Sequence, residues 1–323
     1  MKAMLLRKNK PIEQSPLTLE EVPKPQPGPH QVRVKVRACG ICRTDLHVIE
    51  GELPPVRTPL IPGHQIVGVV DRLGEGASRF QVGDRLGVAW LRWTCGRCAF
   101  CREGKENLCE QSRFTGYHED FAYPLPEIFE DQEATPLLCA GIIGYRALRR
   151  SQLKSGRRLG IYGFGSSAHI IIQIARHRGC PAYVCTRGER HRELARRLGA
   201  TWVGESAQPM PVAVDSAIVF APAGELVPVA LKSLRKGGTL SLAGIYMTPI
   251  PVLDYQECLF YERNVNSVTA NTRQDGLDLL REAAEIPIRP RTQPFPLEAA
   301  NSALQLLKAD QIEGTGVLVV KNE

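Results

Sequence analysis

The sequence predicts an α/β protein of two domains, one rich in β-strands and one built on a parallel sheet. Its 323 residues exceed what one hydrophobic core usually covers. Residues 32–39 (VRVKVRAC) alternate with a period of two and residues 66–74 are β-branched, which is typical of a twisted, barrel-like β domain. From about residue 137, apolar strands alternate with helix-periodic segments, which predicts a parallel sheet with crossover helices.

The order of the segments also predicts where the domains divide. Strands and a helix of the parallel-sheet region are expected at 157–163, 166–179, 182–186, 214–220 and 238–244. Near residue 290 the chain becomes proline-rich and β-type again and ends in a helix and a strand. We therefore expect residues 1–136 and 287–323 to form the β-rich domain, with residues 137–286 inserted as the second domain.

Composition and charge exclude several classes of protein. Hydrophobic residues make up 43% and charged residues 23%, as in ordinary globular chains. The sequence lacks both a run of about 18 apolar residues and a signal-peptide core, so we expect a cytoplasmic protein without a membrane partner. The net charge of +7 could suit nucleic acid, but the basic residues are interspersed with 34 acidic ones, so no nucleic-acid partner is expected.

The ten cysteines indicate metal binding, because thiols of a cytosolic chain stay reduced. Four of them, Cys95, Cys98, Cys101 and Cys109, follow a C-x2-C-x2-C-x7-C pattern. Four thiolates on a short loop close a tetrahedron around Zn²⁺ and leave no open position, which is a structural arrangement. An iron–sulfur cluster is the alternative, although the bacterial ferredoxin pattern has a different last spacing and a following proline.

A glycine turn, GFGSSA at 163–168, follows an apolar strand and opens a helix. Gly163 would permit the tight turn, and Gly165 would let a dinucleotide's pyrophosphate approach the helix N-terminus that Ser166 begins. An NAD site carries an acidic residue after the second strand, whereas this chain has Thr186 and Arg187 there. A guanidinium pairs with a 2′-phosphate, so NADP(H) is favoured over NAD(H). A plain strand–helix turn with a surface arginine is the alternative.

The segment CGICRTDLH at 39–47 poses a question, because its C-x-x-C is either a redox dithiol or part of a metal site. Together with PGHQ at 62–65, the cysteine loop, LLCAGIIGYRAL at 137–148 and the glycine turn, it resembles the zinc-dependent medium-chain alcohol dehydrogenases. The bacterial group with a third ligand in an LLCAG segment is the most similar. The resemblance covers essentially the whole chain and implies a GroES-like catalytic domain and a Rossmann domain.

The resemblance implies a second, catalytic zinc with Cys42, His64 and Cys139 as ligands. Two thiolates and one imidazole leave the fourth position for water or an alcohol, as a Lewis acid requires. The chain would therefore hold two zinc ions, one catalytic and one structural. Cys39 is then not a ligand but a small buried hydrophobe at a strand end.

Further residues of CRTDLH match functional positions of the family. Thr44 matches the hydroxyl that bonds the substrate oxygen, and His47 the outer member of the proton relay. Asp45 matches a carboxylate that orients the histidine ligand. Arg43 matches a residue that contacts the cofactor pyrophosphate. Trp90 and Trp93 are candidate pocket residues.

Three features depart from the family pattern. Gln65 replaces the glutamate that follows the ligand histidine in many relatives. A strand of the catalytic domain is missing between residues 120 and 121. The arginine before the final strand is also missing, so Asn271, Thr272 and Arg273 are alternative cofactor contacts.

The leading hypothesis is a zinc-dependent oxidoreductase that interconverts an alcohol with its aldehyde or ketone, with NADP(H) preferred and NAD(H) second. Two alternatives stay open. The missing strand and Gln65 would fit an impaired or non-catalytic zinc-binding relative. A zinc-free quinone or enoyl reductase is the other, although the retained ligands speak against it. Family analogy predicts a homo-oligomer, a dimer or tetramer.

Overall fold

The computed structural model describes residues 1–53, 58–115, 122–286 and 288–320. These residues form two compact units. The first comprises Met1–Cys139, Thr272–Leu280 and Pro290–Glu323, and the second comprises Ala140–Asn271 and Arg281–Arg289. The grouping differs from the expected boundaries at 136/137 and 286/287 mainly in the segment Thr272–Leu280, which packs with the first unit.

Strands and helices follow the chain in two series. The strands are β1 (Lys2–Leu6), β2 (Leu17–Glu21), β3 (Val32–Ile41), β4 (Ile66–Leu73), β5 (Arg85–Val88), β6 (Leu91–Trp93), β7 (Arg113–Phe114), β8 (Ala122–Pro124), β9 (Leu159–Tyr162), β10 (Ala182–Cys185), β11 (Trp202–Gly204), β12 (Val214–Val219), β13 (Leu234–Leu242), β14 (Asn264–Ser267), β15 (Thr292–Pro296) and β16 (Thr315–Val319). The helices are α1 (Arg43–Glu50), α2 (Ala99–Arg102), α3 (Asp131–Pro136), α4 (Ile142–Arg150), α5 (Ser166–His177), α6 (Glu189–Arg197), α7 (Leu226–Ser233), α8 (Tyr255–Cys258), α9 (Arg273–Glu285) and α10 (Ala300–Lys308). A π-helical turn, Leu137–Gly141, joins α3 to α4.

The first unit contains a mixed sheet of strand order β15-β16-β3-β4-β5-β8. Only β15 and β16 pair in parallel, and the remaining neighbours are antiparallel. Two register shifts between β3 and β4 bend this pair, as bulges do. Helix α1 packs Leu46 and Ile49 into the same core as Ile41 and Leu304, so burial fixes the rotation of α1.

The second unit contains a parallel sheet of order β11-β10-β9-β12-β13-β14. Its first strand, β9, lies in the middle, which is the order of a doubly wound Rossmann sheet. All four residues of β9 are buried, because a parallel sheet is covered on both faces. The strands predicted near 157–163, 182–186, 214–220 and 238–244 are confirmed, whereas the short strands β11 and β14 were not predicted.

Two expectations from the sequence concern a missing strand and the absence of a membrane span. The missing strand was placed between residues 120 and 121, and this position lies outside the described residues. Among the described helices, none has the length and apolar character that a membrane crossing needs.

Candidate metal and nucleotide sites

Three predicted ligands from distant parts of the sequence meet in the first unit. Cys42 stands at the N-cap of α1, His64 lies just before β4, and Cys139 lies on the π-helical turn. Their ligand atoms all lie within 4.8 Å of one another. Cys42 Sγ is 3.2 Å from His64 Nε2, and His64 is only 2% exposed. The fold thus forms a Cys₂His cluster around the buried His64.

Asp45 holds two parts of this cluster in place. Its Oδ1 lies 3.1 Å from His64 Nδ1, and its Oδ2 accepts the Cys42 backbone N–H at 2.8 Å. A carboxylate on Nδ1 fixes the imidazole tautomer and leaves Nε2 as the ligand atom. Asp45 itself is buried, so this orientation does not depend on solvent. This geometry matches the orienting role that the resemblance implied.

The electrostatics of the cluster favour a bound cation. The Cys139 thiol donates a hydrogen bond that lowers the pKa of Cys42 well below its usual value, against the opposing effect of burial, and His64 and Thr44 add to the lowering. The pKa of Cys139 is correspondingly raised by this bond and by burial. The lowered pKa favours the thiolate form of Cys42. Two sulfurs and one imidazole nitrogen are zinc ligands, and three protein ligands are typical of a catalytic zinc, so the residues fit this metal.

The four-cysteine loop forms a second cluster in the first unit. The sulfurs of Cys95, Cys98, Cys101 and Cys109 lie within 4.8 Å of one another. The Cys98 N–H donates to Cys95 Sγ at 3.3 Å, and backbone N–H groups from Arg97 and Cys98 lower the pKa of Cys95 to about 6. Amides aimed at sulfur are suited to thiolates. The four sulfurs fit a closed zinc site.

Aromatic rings border the Cys₂His cluster. The Trp90 ring meets His64 edge-on, with 4.8 Å between centroids, and stacks on Phe114 at 4.9 Å. Trp90 therefore lies beside the cluster, and its place in a substrate pocket stays a prediction. Trp93 instead packs under the Arg113 guanidinium, at 4.9 Å. The sequence did not predict that Phe114 lies here, because its position depends on the pairing of β6 with β7.

The other residues of CRTDLH make polar contacts of their own. Thr44 is buried beside Cys42. His47 Nδ1 donates to the Glu52 carboxylate, a partner that the sequence interpretation missed although it lies only five residues away. Arg43 forms an ion pair with Asp310, at 2.5 Å. The predicted contact of Arg43 with a pyrophosphate therefore stays a prediction.

Two of the departures are visible in the structure. Gln65 is fully buried, and neither atom of its amide has a hydrogen-bond partner among the described residues. At the start of α9, Asp275 Oδ2 accepts bonds from the backbone and hydroxyl of Thr272, and Glu106 Oε1 accepts the Arg273 N–H at 2.7 Å. Asn271 is buried. These contacts order the Asn271–Arg273 segment, whose role toward a cofactor stays a prediction.

The glycine turn of the second unit has the geometry of a nucleotide loop. Gly163 has a φ of +88°, and a Cβ there would lie 2.9 Å from the Ala221 nitrogen, so only glycine fits. Gly165 precedes α5, and a Cβ there would meet nothing within 4 Å. This space lies at the N-terminus of a 12-residue helix, which attracts anions.

Residues after the second strand complete this end of the sheet. Thr186 is buried, and its hydroxyl accepts the Phe164 N–H at 3.2 Å. Arg187 is exposed and directly follows Thr186, and Ser166 is half-buried at the first position of α5. No acidic residue occupies the end of β10. The residues therefore fit a phosphate-bearing nucleotide.

Comparison with known proteins identifies the family. Residues 28–128 match the alcohol dehydrogenase GroES-like domain, and residues 168–285 match the zinc-binding dehydrogenase domain. The probable alcohol dehydrogenase AdhA of Mycobacterium tuberculosis (strain CDC 1551 / Oshkosh) is 48% identical over 99% of this chain and 97% of its own length. The chain belongs to the zinc-dependent medium-chain alcohol dehydrogenases.

Other members of this alcohol dehydrogenase family agree in sequence and fold. An alcohol dehydrogenase of Geobacillus stearothermophilus is 33% identical over 94% of the chain and 96% of its own length. The structure of a Sorghum bicolor cinnamyl alcohol dehydrogenase superposes with a TM-score of 0.89 at 25% identity, covering 100% and 99% of the two chains. The Helicobacter pylori CAD structure, complexed with NADP(H), gives 0.86 at 22% identity, covering 98% and 97%, a likeness of fold alone. The predicted GroES-like and Rossmann folds are confirmed, and the chain is an oxidoreductase of the alcohol dehydrogenase family.

Proposed function

We propose that this chain is a zinc-dependent, NADP(H)-preferring dehydrogenase of primary or secondary alcohols, working in either direction. The convergence of Cys42, His64 and Cys139 in one cluster carries this proposal, because three protein ligands that leave a fourth position open are typical of a catalytic zinc. Family membership supports the reaction class. Buried Asp45 supports it further, since an orienting carboxylate is typical of a metal-ligating histidine.

The metal would be held by the residues already described. The Cys₂His cluster would hold a catalytic zinc, and Cys95, Cys98, Cys101 and Cys109 a structural one. When bound, the catalytic zinc supplies a Lewis acid that withdraws electron density from the substrate oxygen. Trp90, beside His64, would shield this region from water.

Proton movement is assigned to Thr44 and His47. Thr44 is buried next to Cys42, so its hydroxyl can hold the substrate hydroxyl close to the cluster. His47 lies on the next turn of α1 and is 16% exposed at its side chain, between the interior and water. We assign His47 as the group that exchanges the substrate proton with solvent during oxidation and returns it during reduction.

The second unit would hold the cofactor at the glycine turn and at Arg187. When bound, the nicotinamide supplies the hydride acceptor or donor. Gly163, Gly165 and Ser166 would receive the pyrophosphate, and Arg187 would pair with the 2′-phosphate of NADP(H). The cofactor contact of Arg43 is proposed from the family pattern alone.

The decisive experiment measures NADPH and NADH oxidation over a panel of aldehydes and ketones for wild type and R187A. We expect R187A to raise KM for NADPH about tenfold or more, since a hydrogen bond to a charged group contributes about 1.5–3 kcal/mol. KM for NADH should change little. The exposed arginine of R157A, before β9, serves as the control. Equal changes for both cofactors, or faster use of NADH by wild type, would refute the NADP(H) preference.

An impaired or non-catalytic relative is the second candidate. The buried, unpartnered amide of Gln65 favours it, because a polar group without a hydrogen bond is costly to bury and sits next to the ligand His64. Metal analysis separates the candidates. Two zinc ions per chain with turnover support the dehydrogenase, one ion without turnover supports the second candidate, and none leaves the zinc-free quinone or enoyl reductase.

We also propose a homo-oligomer, a dimer or tetramer. Large apolar side chains are exposed in the segment between β13 and β14 of the second unit, among them Ile245, Tyr246, Val252, Tyr255 and Phe260. The Phe260 ring contacts the rings of both Tyr255 and Tyr261. Clustered exposed apolar residues indicate an interaction surface. Light scattering after size exclusion tests this proposal, and a monomer at micromolar concentration would refute it.

A further inference from the structure

Glu52 lies just past the end of α1, and its carboxylate binds His47. A backbone turn restricts the positions that Glu52 can take. Gly51 has a φ of +91° and ends the helix with its N–H on the His47 carbonyl, at 3.1 Å. The N–H of Leu53 reaches the same carbonyl at 3.0 Å. Glu52 stands between these two amides, so the backbone itself brings its carboxylate to the imidazole of His47.

Asn9 secures this turn from outside the helix. Its side-chain amide donates to the carbonyls of Val48 and Ile49, at 2.7 and 3.1 Å. These carbonyls belong to the last turn of α1, which has no helical partner for them. The position of Glu52 is therefore set by an ordered helix end rather than by a flexible loop.

The contact determines the chemistry of the imidazole. An ionised carboxylate has no hydrogen to donate, so His47 Nδ1 must carry the hydrogen that joins it to Glu52. In that tautomer Nε2 is the proton acceptor of the ring. A proton taken at Nε2 gives an imidazolium that keeps its Nδ1–H on the Glu52 carboxylate, and the Nε2 proton can then leave to water, since the His47 side chain is 16% exposed.

We propose that Glu52 is a positioning residue for His47: it holds Nδ1–H in place, so that Nε2 takes up the substrate proton and releases it to water. One proton enters at Nε2 and one leaves from it, which restores the starting tautomer, so no other reactant is needed. The inference rests on the proposed relay through His47. It adds to Thr44 and His47 a third residue, which lies outside the CRTDLH segment.

The first test reads the tautomer directly and needs no turnover. ¹⁵N-histidine spectra of the zinc-loaded protein, with His47 assigned from H47Q, should show the Nδ1–H form in wild type and in E52D. E52A should lose this preference, while E21A, which removes an exposed strand carboxylate, should keep it. An unchanged His47 tautomer in E52A overturns the inference even if the enzyme is active.

The second test measures the relay in steady state. E52A should lower kcat about tenfold, the lower end of what removing an orienting partner costs, and should raise the solvent deuterium isotope effect on kcat. E52D should recover part of the loss. In an H47Q background, E52A should have no further effect. A similar loss in that background overturns the inference, whereas full activity of H47Q refutes the proposed relay itself, and the two failures are distinguishable.

Discussion

The two cysteine clusters of the first unit differ in how the chain assembles them. One takes its ligands from residues 42, 64 and 139, and the other takes four from residues 95 to 109. Each cluster includes partly exposed cysteines, but the dispersed one is held by the buried pair of His64 and Asp45, while the local one is braced by its own backbone amides. The folded core brings the ligands of the dispersed cluster together. In the local cluster, the metal would help to order the loop.

This difference separates the roles of the two clusters. Three ligands held by a rigid core leave one coordination position for a substrate, so their loss should remove chemistry and spare the fold. Four ligands on one loop leave no position, so their loss should weaken the fold and spare chemistry. The predictions below test this division.

The largest effect is expected for C42A. Losing a Lewis acid removes several kcal/mol of stabilisation, so kcat/KM should fall about a thousandfold or more. Zinc content should drop from two ions per chain to one, with little change in the melting temperature. The matched control is C39A, which removes the neighbouring thiol that lies outside the cluster. A C42A variant with wild-type turnover would contradict the assignment.

A smaller effect is expected for C98A, and it should fall on stability rather than on catalysis. It should also lose one zinc, but the melting temperature should fall by about 5 °C while kcat/KM stays within about tenfold of wild type. Limited proteolysis should cut within residues 95 to 109. R102A, an exposed change in the same loop, is the control. A C98A variant that unfolds no more easily than R102A would show that the loop is ordered without its metal.

The smallest effect is expected for an ion pair outside both clusters. It measures the stability lost when neither metal site is changed. In the second unit, Arg178 donates two hydrogen bonds to Glu282, at 2.8 and 2.6 Å, and Tyr145 donates a third at 3.0 Å. Burial alone would raise the pKa of Glu282, but the bonds from Arg178 and Tyr145 outweigh it and lower the pKa below 4.5. E282Q should cost about 1–2 kcal/mol at pH 7 without loss of zinc.

The sign of the pH dependence follows from that lowered pKa. Because Glu282 is more acidic when folded, its contribution is complete above pH 4.5 and disappears as pH falls through the folded pKa. Urea unfolding of wild type and E282Q should therefore differ at neutral pH and converge in acid. A constant difference across this range would exclude the ion pair as the cause.

Local features could be predicted from the sequence with few assumptions. The spacing of Cys95 to Cys109 already places four sulfurs on one loop, and the order of strand, glycine turn and helix already indicates the loop around Gly163. Alternation and β-branched runs located most strands of both sheets. Strand β11 has only three residues, and β14 (NVNS) is mostly polar and exposed, so neither shows an apolar run or a period.

Distant contacts needed either a resemblance or the structure. Nothing in the spacing of Cys42, His64 and Cys139 says that they meet, and only the family pattern selected them. The partner of Arg43 lies 267 residues away and could not be read from the sequence. Glu52 was close enough to His47 to be considered, but its contact depends on how the chain turns at Gly51.

Arg43 and Asp310 form an ion pair. Asp310 therefore competes with any incoming phosphate for the guanidinium of Arg43. The two side chains are 41% and 38% exposed, so the pair is worth only about 0.2–1 kcal/mol. A pyrophosphate that recruits Arg43 would compete with Asp310, which accepts from Arg43 Nη2, and its measured affinity would be net of that competition. Asp310 would in this way hold the arginine in a defined rotamer between catalytic cycles, at the cost of at most a few-fold in cofactor affinity.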